Sequence, residues 1–184
     1  MESFTEHEPA RSETLQMTNQ KPSHRSDDEM LAELYARPGF MLRRAHQIAM
    51  DLFIQACSPV NITPSQYGVL YIINTVGSVS QIGIARLIGL DRSTTALVVR
   101  LLTERGLLEK RQSKDDARSS AIQLTEEGKK IFREAETLAN REMKMMLEPF
   151  SEKEGHLFLS LLKKFVAHHN DKTRVSMNVE HALK

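Results

Sequence analysis

The five residues Asp91-Arg92-Ser93-Thr94-Thr95 combine a helix-capping carboxylate, a cation and three short hydroxyls. Hydroxyls of that size can reach base edges in a major groove about 12 Å wide without holding the helix out of it. Arg92 adds a phosphate-pairing cation, and the dipole of a helix N-terminus favours phosphate at the same end. Arg100, two turns on, can neutralise a flanking phosphate. Lys114 and Arg118 stand in the polar stretch Gln112-Ser113-Lys114-Asp115-Asp116-Ala117-Arg118, where an arginine can sense a narrow minor groove. The plain alternative is that the hydroxyls only start a helix well and the basic loop is only solvated. The ordered set carries far more weight than any one member.

A second group has anion chemistry. Arg44 falls in line with Phe40, Ile48 and Leu52 at four-residue spacing, so its guanidinium rides on an apolar stripe. Buried there, it needs an anion: an internal Asp or Glu, or a ligand carboxylate held bidentately. His46, beside Leu42, Ala49, Met50 and Phe53, can bond a ligand hydroxyl or satisfy a backbone carbonyl. Tyr67 and Tyr71 can supply a wall and a phenolic hydroxyl, or simply pack in a core.

These residues need elements to place them. The four-residue repeat predicts a helix over 40–57, stopped by Ser58-Pro59. Thr63-Pro64-Ser65-Gln66 then offers a cap, a first-turn proline and a capping box, opening a helix that runs to Gly77. Ser80 caps a short helix from Gln81 to Ile88, broken by Gly89, and Asp91 caps the next, from Arg92 to Arg105, closed by Gly106. Leu107 to Arg111 and Ser119 to Thr125 are short strand-like pieces flanking the polar loop. Thr125 opens a long helix ending at Pro149, and Ser151 with Glu154 boxes the start of the last one. That last helix bears two apolar lines, Leu157-Leu161-Phe165 and Phe158-Leu162-Val166. A stripe so wide fits a dimer interface, or extra packing within one chain. Helix, short helix, glycine turn, helix and β-hairpin make a winged helix-turn-helix. The fold class is mainly α with one small β-hairpin, and Ser80 and Gln81 join the DNA-facing set.

Composition sets the outer limits. The 184 residues suit one compact domain with a tail. Residues 1–36 hold eight acidic and three basic side chains, whereas the rest hold sixteen and twenty-two, so an acidic tail precedes a basic body. No apolar run approaches a membrane span, and the first 28 residues lack a signal-peptide core. A cytoplasmic protein without membrane or cofactor is expected. The single cysteine, Cys57, cannot form an internal disulfide. A thiol-based redox sensor is an alternative reading, but the C-terminal end of a helix raises a thiol pKa and no second cysteine resolves a sulfenic acid. His168 and His169 diverge by about 100° on a helix, which disfavours a shared metal. No phosphate loop, nucleophile elbow or His-Glu-x-x-His motif suggests an enzyme. An effector-independent architectural DNA binder is the remaining alternative.

The stretches 84–95, Leu102-Thr103-Glu104-Arg105-Gly106-Leu107-Leu108, Asp116-Ala117-Arg118 and Leu124-Thr125-Glu126-Glu127-Gly128 together resemble the MarR family of bacterial transcriptional regulators, over about residues 35–168. The resemblance implies a homodimer with intertwined terminal helices, a palindromic double-stranded operator, and repression released by a small anionic, often phenolic, ligand. It matches Arg92, Ser93 and Thr94 to the start of the recognition helix, and Asp116 and Arg118 to a wing element in which the aspartate orients the arginine. Ala96-Leu97 departs from the polar or basic residues of many relatives, shifting readout towards Ser93, Thr94 and thymine methyls. The segment 37–48 resembles the opening helix of members that control aromatic-acid catabolism, which adds Arg43 to Arg44, His46, Tyr67 and Tyr71 as ligand-contacting candidates. The expected division is a disordered acidic tail over 1–29, a dimerisation and ligand helix over 30–62, and the winged helix-turn-helix over 63–125. C-terminal dimerisation helices over 126–170 and a flexible tail over 171–184 complete it.

Overall fold

The computed structural model describes residues 25–112 and 120–178. The chain forms two units, residues 1–42 and 43–184. In the first, helix α1 (Asp27–Ala36) begins at a capping box. Ser26 accepts from the Glu29 N–H, and Glu29 reaches back to the Ser26 N–H. Helix therefore starts inside the segment expected to be tail, because Ser26-x-x-Glu29 satisfies two orphan donors and three acidic residues suit the helix dipole. Pro38, which has no N–H, ends any continuation and starts α2 (Pro38–Ala56). The N-terminal helical region is thus two helices, and Met30, Leu31, Leu34 and Tyr35 lie exposed on α1.

The second unit is built on capped turns. Thr63 and Gln66 form the capping box of α3 (Pro64–Val76), which stops at Gly77 with φ of 81°. Ser80 caps α4 (Gln81–Ile88), and Gly89, at φ 71°, ends it. Asp91 caps α5 (Arg92–Glu104). After Gly106, at φ 72°, come β2 (Leu108–Gln112) and β3 (Ser120–Leu124). Two long helices follow, α6 (Glu126–Leu147) and α7 (Glu152–His169), the latter boxed by Ser151 and Glu154.

The sheet has one strand more than the expected hairpin. Residues Val79–Ser80 form β1, paired antiparallel with β3 so that Val79 faces Ile122 and Ser80 faces Ala121, giving the order β1-β3-β2. That pairing ties the chain just before the helix-turn-helix to the wing that follows it. Beneath lie Leu70 and Ile73 of α3, Ile84 of α4, Val99 and Leu102 of α5, and Ile122 of β3, all fully buried. Arg105 adds a long-range tie, donating to the carbonyls of Asn61 at 2.6 Å and Val60 at 3.0 Å.

Beyond α7, where a flexible tail is expected from 171, residues to Asn178 are held. Asn170 donates to the Met177 carbonyl at 3.0 Å and accepts its N–H at 2.9 Å. The Asn178 N–H bonds the Arg86 carbonyl at 3.0 Å, one of the carbonyls a helix end leaves unpaired. No described helix is long and apolar enough to cross a membrane.

The wing is fixed to α6 at one crowded joint. The Leu107 carbonyl accepts the Thr125 N–H at 3.1 Å, and the Thr125 hydroxyl donates to the Gly106 carbonyl at 2.7 Å while accepting the Gly128 N–H at 2.9 Å. A Cβ on Gly128 would lie 2.0 Å from the Leu107 oxygen. Gly128→Ala should therefore lower stability by about 1–3 kcal/mol despite alanine's better helix propensity. Urea denaturation checks this, and an unchanged or raised midpoint would contradict the joint.

Candidate nucleic-acid interface

The first turn of α5 is organised by one carboxylate. Asp91 Oδ1 accepts the Ser93 hydroxyl at 2.5 Å and the Thr94 N–H at 2.9 Å, while Oδ2 accepts the Thr94 hydroxyl at 2.6 Å. The Ser93 hydroxyl, then the Thr94 hydroxyl and N–H, hold the Asp91 carboxyl far below the usual carboxylate range. The positive end of the α5 dipole is thus filled by the protein's own anion instead of standing open for phosphate, as the sequence suggests.

Helical spacing sorts the rest of α5. Thr95, Val98, Val99 and Leu102 turn into the core, whereas Arg92, Ser93, Leu97 and Arg100 face outward. Thr94 is half-buried. Thr95 must leave the DNA-facing set: it is fully buried, and its hydroxyl donates to the Asp91 carbonyl at 2.9 Å. Leu97, 46% exposed, presents an apolar side chain in the middle of the open face. Arg100 lies 3.9 Å from Glu104, and an exposed ion pair of that kind costs little to give up.

Around this helix, Ser80 is exposed but already accepts the Gly83 N–H at 3.1 Å, and Gln81 is half-buried. The wing residues Lys114, Asp116 and Arg118 lie outside the described residues. At the base of the wing, Glu109 accepts from Gln123 at 2.5 Å and from Arg111 Nε at 3.2 Å. The Gln123 bond, then the Arg111 charge, keeps its carboxyl below the ordinary glutamate value.

The ligand-contacting candidates divide into two settings. Tyr67 sits among aromatic rings, 5.4 Å from Phe53, 5.9 Å from Tyr71 and 6.0 Å from Phe132 between centroids. Burial, then the Glu136 charge, pushes its phenol up to about 12. Tyr71 is the exposed edge of that cluster, with Phe132 5.8 Å away. Arg43, Arg44 and His46 are exposed on α2, and Arg43 donates to Gln47 at 2.9 Å. The expectation that Arg44 is buried in an apolar stripe fails within a single chain, because Ile48 of the same stripe is exposed too. A cleft of about 550 Å³, lined in part by Asn74, Glu109, Arg111, Gln123 and Lys129, holds none of the five.

Cys57 is fully buried, its sulfur 4.0 Å from the Ala135 carbonyl. Burial, then the Glu142 charge, raises its thiol pKa, which disfavours the thiolate that redox sensing uses. Glu142 is itself 6% exposed with Oε1 unbonded, and burial raises its carboxyl.

Comparison with known proteins agrees with this geometry. The sequence profile of the MarR family matches residues 62–120. The PcaV transcriptional regulator of Streptomyces coelicolor is 32% identical, with a TM-score of 0.64 over 74% of this chain and 99% of that one; PcaV is also solved in complex with its natural ligand. The transcriptional repressor CouR, solved on a 23-mer DNA duplex, is 28% identical, with a TM-score of 0.70 over 74% of this chain and 96% of its own. A putative transcriptional regulatory protein for the hcr operon of Thauera aromatica is 29% identical over 127 residues, which are 68% of this chain and 76% of that protein.

The Asp91 network has a pH signature. A carboxyl depressed on folding stabilises fully above its unfolded pKa, near 4, and loses that contribution as pH falls towards its folded value. The stability difference between wild type and Asp91→Asn should stay constant above about pH 4 and shrink below it. Thermal melts across pH 2–7 read this, and a difference that grows on acidification would contradict the network.

Proposed function

The chain belongs to the MarR family of DNA-binding transcriptional regulators, and on that premise we propose that it is a homodimeric repressor of an aromatic-compound catabolic operon. An aromatic acid or its coenzyme A thioester releases it from a palindromic operator. The observation that carries the reading is the open face of α5, where Arg92, Ser93, Leu97 and Arg100 stand outward from a helix whose other side is core. Cations there pair with phosphate, and Leu97 meets thymine methyls. Lys114, Asp116 and Arg118 extend the contact to the neighbouring groove.

Dimerisation is supported by α7, which leaves Leu157, Leu161, Phe165, Phe158, Leu162 and Val166 exposed, Leu161 by 56%. Apolar surface of that extent is costly in water. Two copies paired through it set two α5 helices about 34 Å apart, one turn of DNA. The effector sits against the half-open aromatic cluster of Tyr67 and Tyr71, with Arg43 or Arg44 taking its carboxylate and His46 its hydroxyl. Exposure of those cations in a single chain suits a site completed by ligand and partner. PcaV, a relative solved in complex with its natural ligand, supports an effector-gated regulator, and the relative described as a putative regulatory protein for the hcr operon supports control of an operon. Binding of effector shifts the spacing of the two α5 helices. Coupling of this kind is reciprocal, so DNA weakens effector binding by the same factor.

Fluorescence anisotropy with labelled DNA from upstream of the gene, at several salt concentrations, tests this. Sequence-selective binding should be released by one member of a panel of benzoates, hydroxycinnamates and their thioesters. Arg100→Ala should weaken binding to all sequences alike and flatten the slope of log K against log salt by about 1. Affinity no better than for random DNA would contradict the reading.

A further inference from the structure

The first turn of α5 fixes the direction of its hydrogen bonds before any DNA arrives. A hydroxyl has one proton and two lone pairs. The proton of Ser93 goes to Asp91 Oδ1 at 2.5 Å and that of Thr94 to Asp91 Oδ2 at 2.6 Å. Both bonds end on an ionised carboxylate, and charge-assisted O–H···O⁻ bonds of this length are among the strongest a side chain makes. Ser93 is nonetheless exposed on the face that carries Arg92, Leu97 and Arg100.

We infer that Asp91 is a specificity-determining residue: by holding the Ser93 and Thr94 protons it leaves two oxygens that can only accept. Such oxygens select the base-edge amines, adenine N6 and cytosine N4, over the acceptor edges of guanine and thymine. This rests on the proposal that α5 reads a major groove. The groove offers one amine donor per base pair, on adenine or on cytosine, against acceptors at purine N7, guanine O6 and thymine O4. A free serine or threonine hydroxyl rotates to suit either. Here rotation towards an acceptor would break a bond to a carboxylate and face a lone pair with a nearby negative charge. Phosphate oxygens are refused for the same reason, so the two hydroxyls are directed to bases while the arginines take the backbone. Asp91 touches no base itself; it acts through Ser93 and Thr94.

Selection from a random duplex library by the full-length protein gives the operator, and single base-analogue substitutions then probe it. Purine in place of adenine, or pyrimidin-2-one in place of cytosine, deletes the amine; 7-deazaguanine deletes an acceptor. At one position or more per half-site, amine deletion should weaken wild type by about 5- to 150-fold, and Ser93→Ala or Thr94→Ala should remove that sensitivity. Asp91→Asn keeps a capping oxygen, since asparagine caps as well as aspartate, but frees a hydroxyl proton. That variant should lose amine sensitivity and gain sensitivity to 7-deazaguanine. A loss on 7-deazaguanine in wild type that Ser93→Ala abolishes would overturn the inference. So would amine sensitivity that Asp91→Asn leaves unchanged. If no sequence is enriched, the operator reading falls, and this inference falls with it.

Discussion

The first turn of α5 and the face it presents depend on the Asp91 carboxylate. It closes the turn after Gly89, starts α5 and takes the protons of Ser93 and Thr94. Its bonds go to groups of the turn it begins, the orphan Thr94 N–H and the two hydroxyls among them. With the N-terminus neutralised from within, α5 offers cations and hydroxyl lone pairs along an outer face, not a phosphate cradle at its tip. The apolar inner face, from Thr95 to Leu102, fixes the rotation at which that outer face is shown.

Rigidity of the presentation comes from ties that cross the sequence. The β1–β3 pairing binds the entry of the helix-turn-helix to the wing. The Leu107 carbonyl, wedged against Gly128, binds the wing to α6. Arg105 pins the end of α5 to the 3-10 turn at Ser58–Val60. A shift of α6 is therefore carried to the wing through a joint with no room for a methyl group, and close-packed contacts of this kind pass displacement on instead of absorbing it.

Much of this was legible in the residues. Every start after Pro38 that carries a cap follows a Ser, Thr or Asp visible in the sequence, and Gly77 and Gly89 close helices where a residue with positive φ was needed. Helix spacing also held the answer for Thr95, which shares the line of Val98, Val99 and Leu102. Its hydroxyl hides that periodicity, because it is satisfied inside the core by the Asp91 carbonyl. Strand β1 was not legible, since two residues show no alternation and pair only through a partner forty positions away. Arg105 gave no local sign, as its acceptors are backbone carbonyls. Arg44 marks another limit: an apolar stripe says that a face is to be covered, but not whether the cover comes from its own chain. Of the candidate site, the α5 face was readable as one helix in one register, whereas the proposed effector site depends on surfaces that a single chain leaves open.

The proposed dimer sets a pair of α5 helices one DNA turn apart. Hydroxyl-radical footprinting of the protein on its selected operator measures that directly. Two protected patches on one face of the duplex, their centres about 10–10.5 base pairs apart, are the result predicted. A single patch, or protection spread evenly along the DNA, would contradict it.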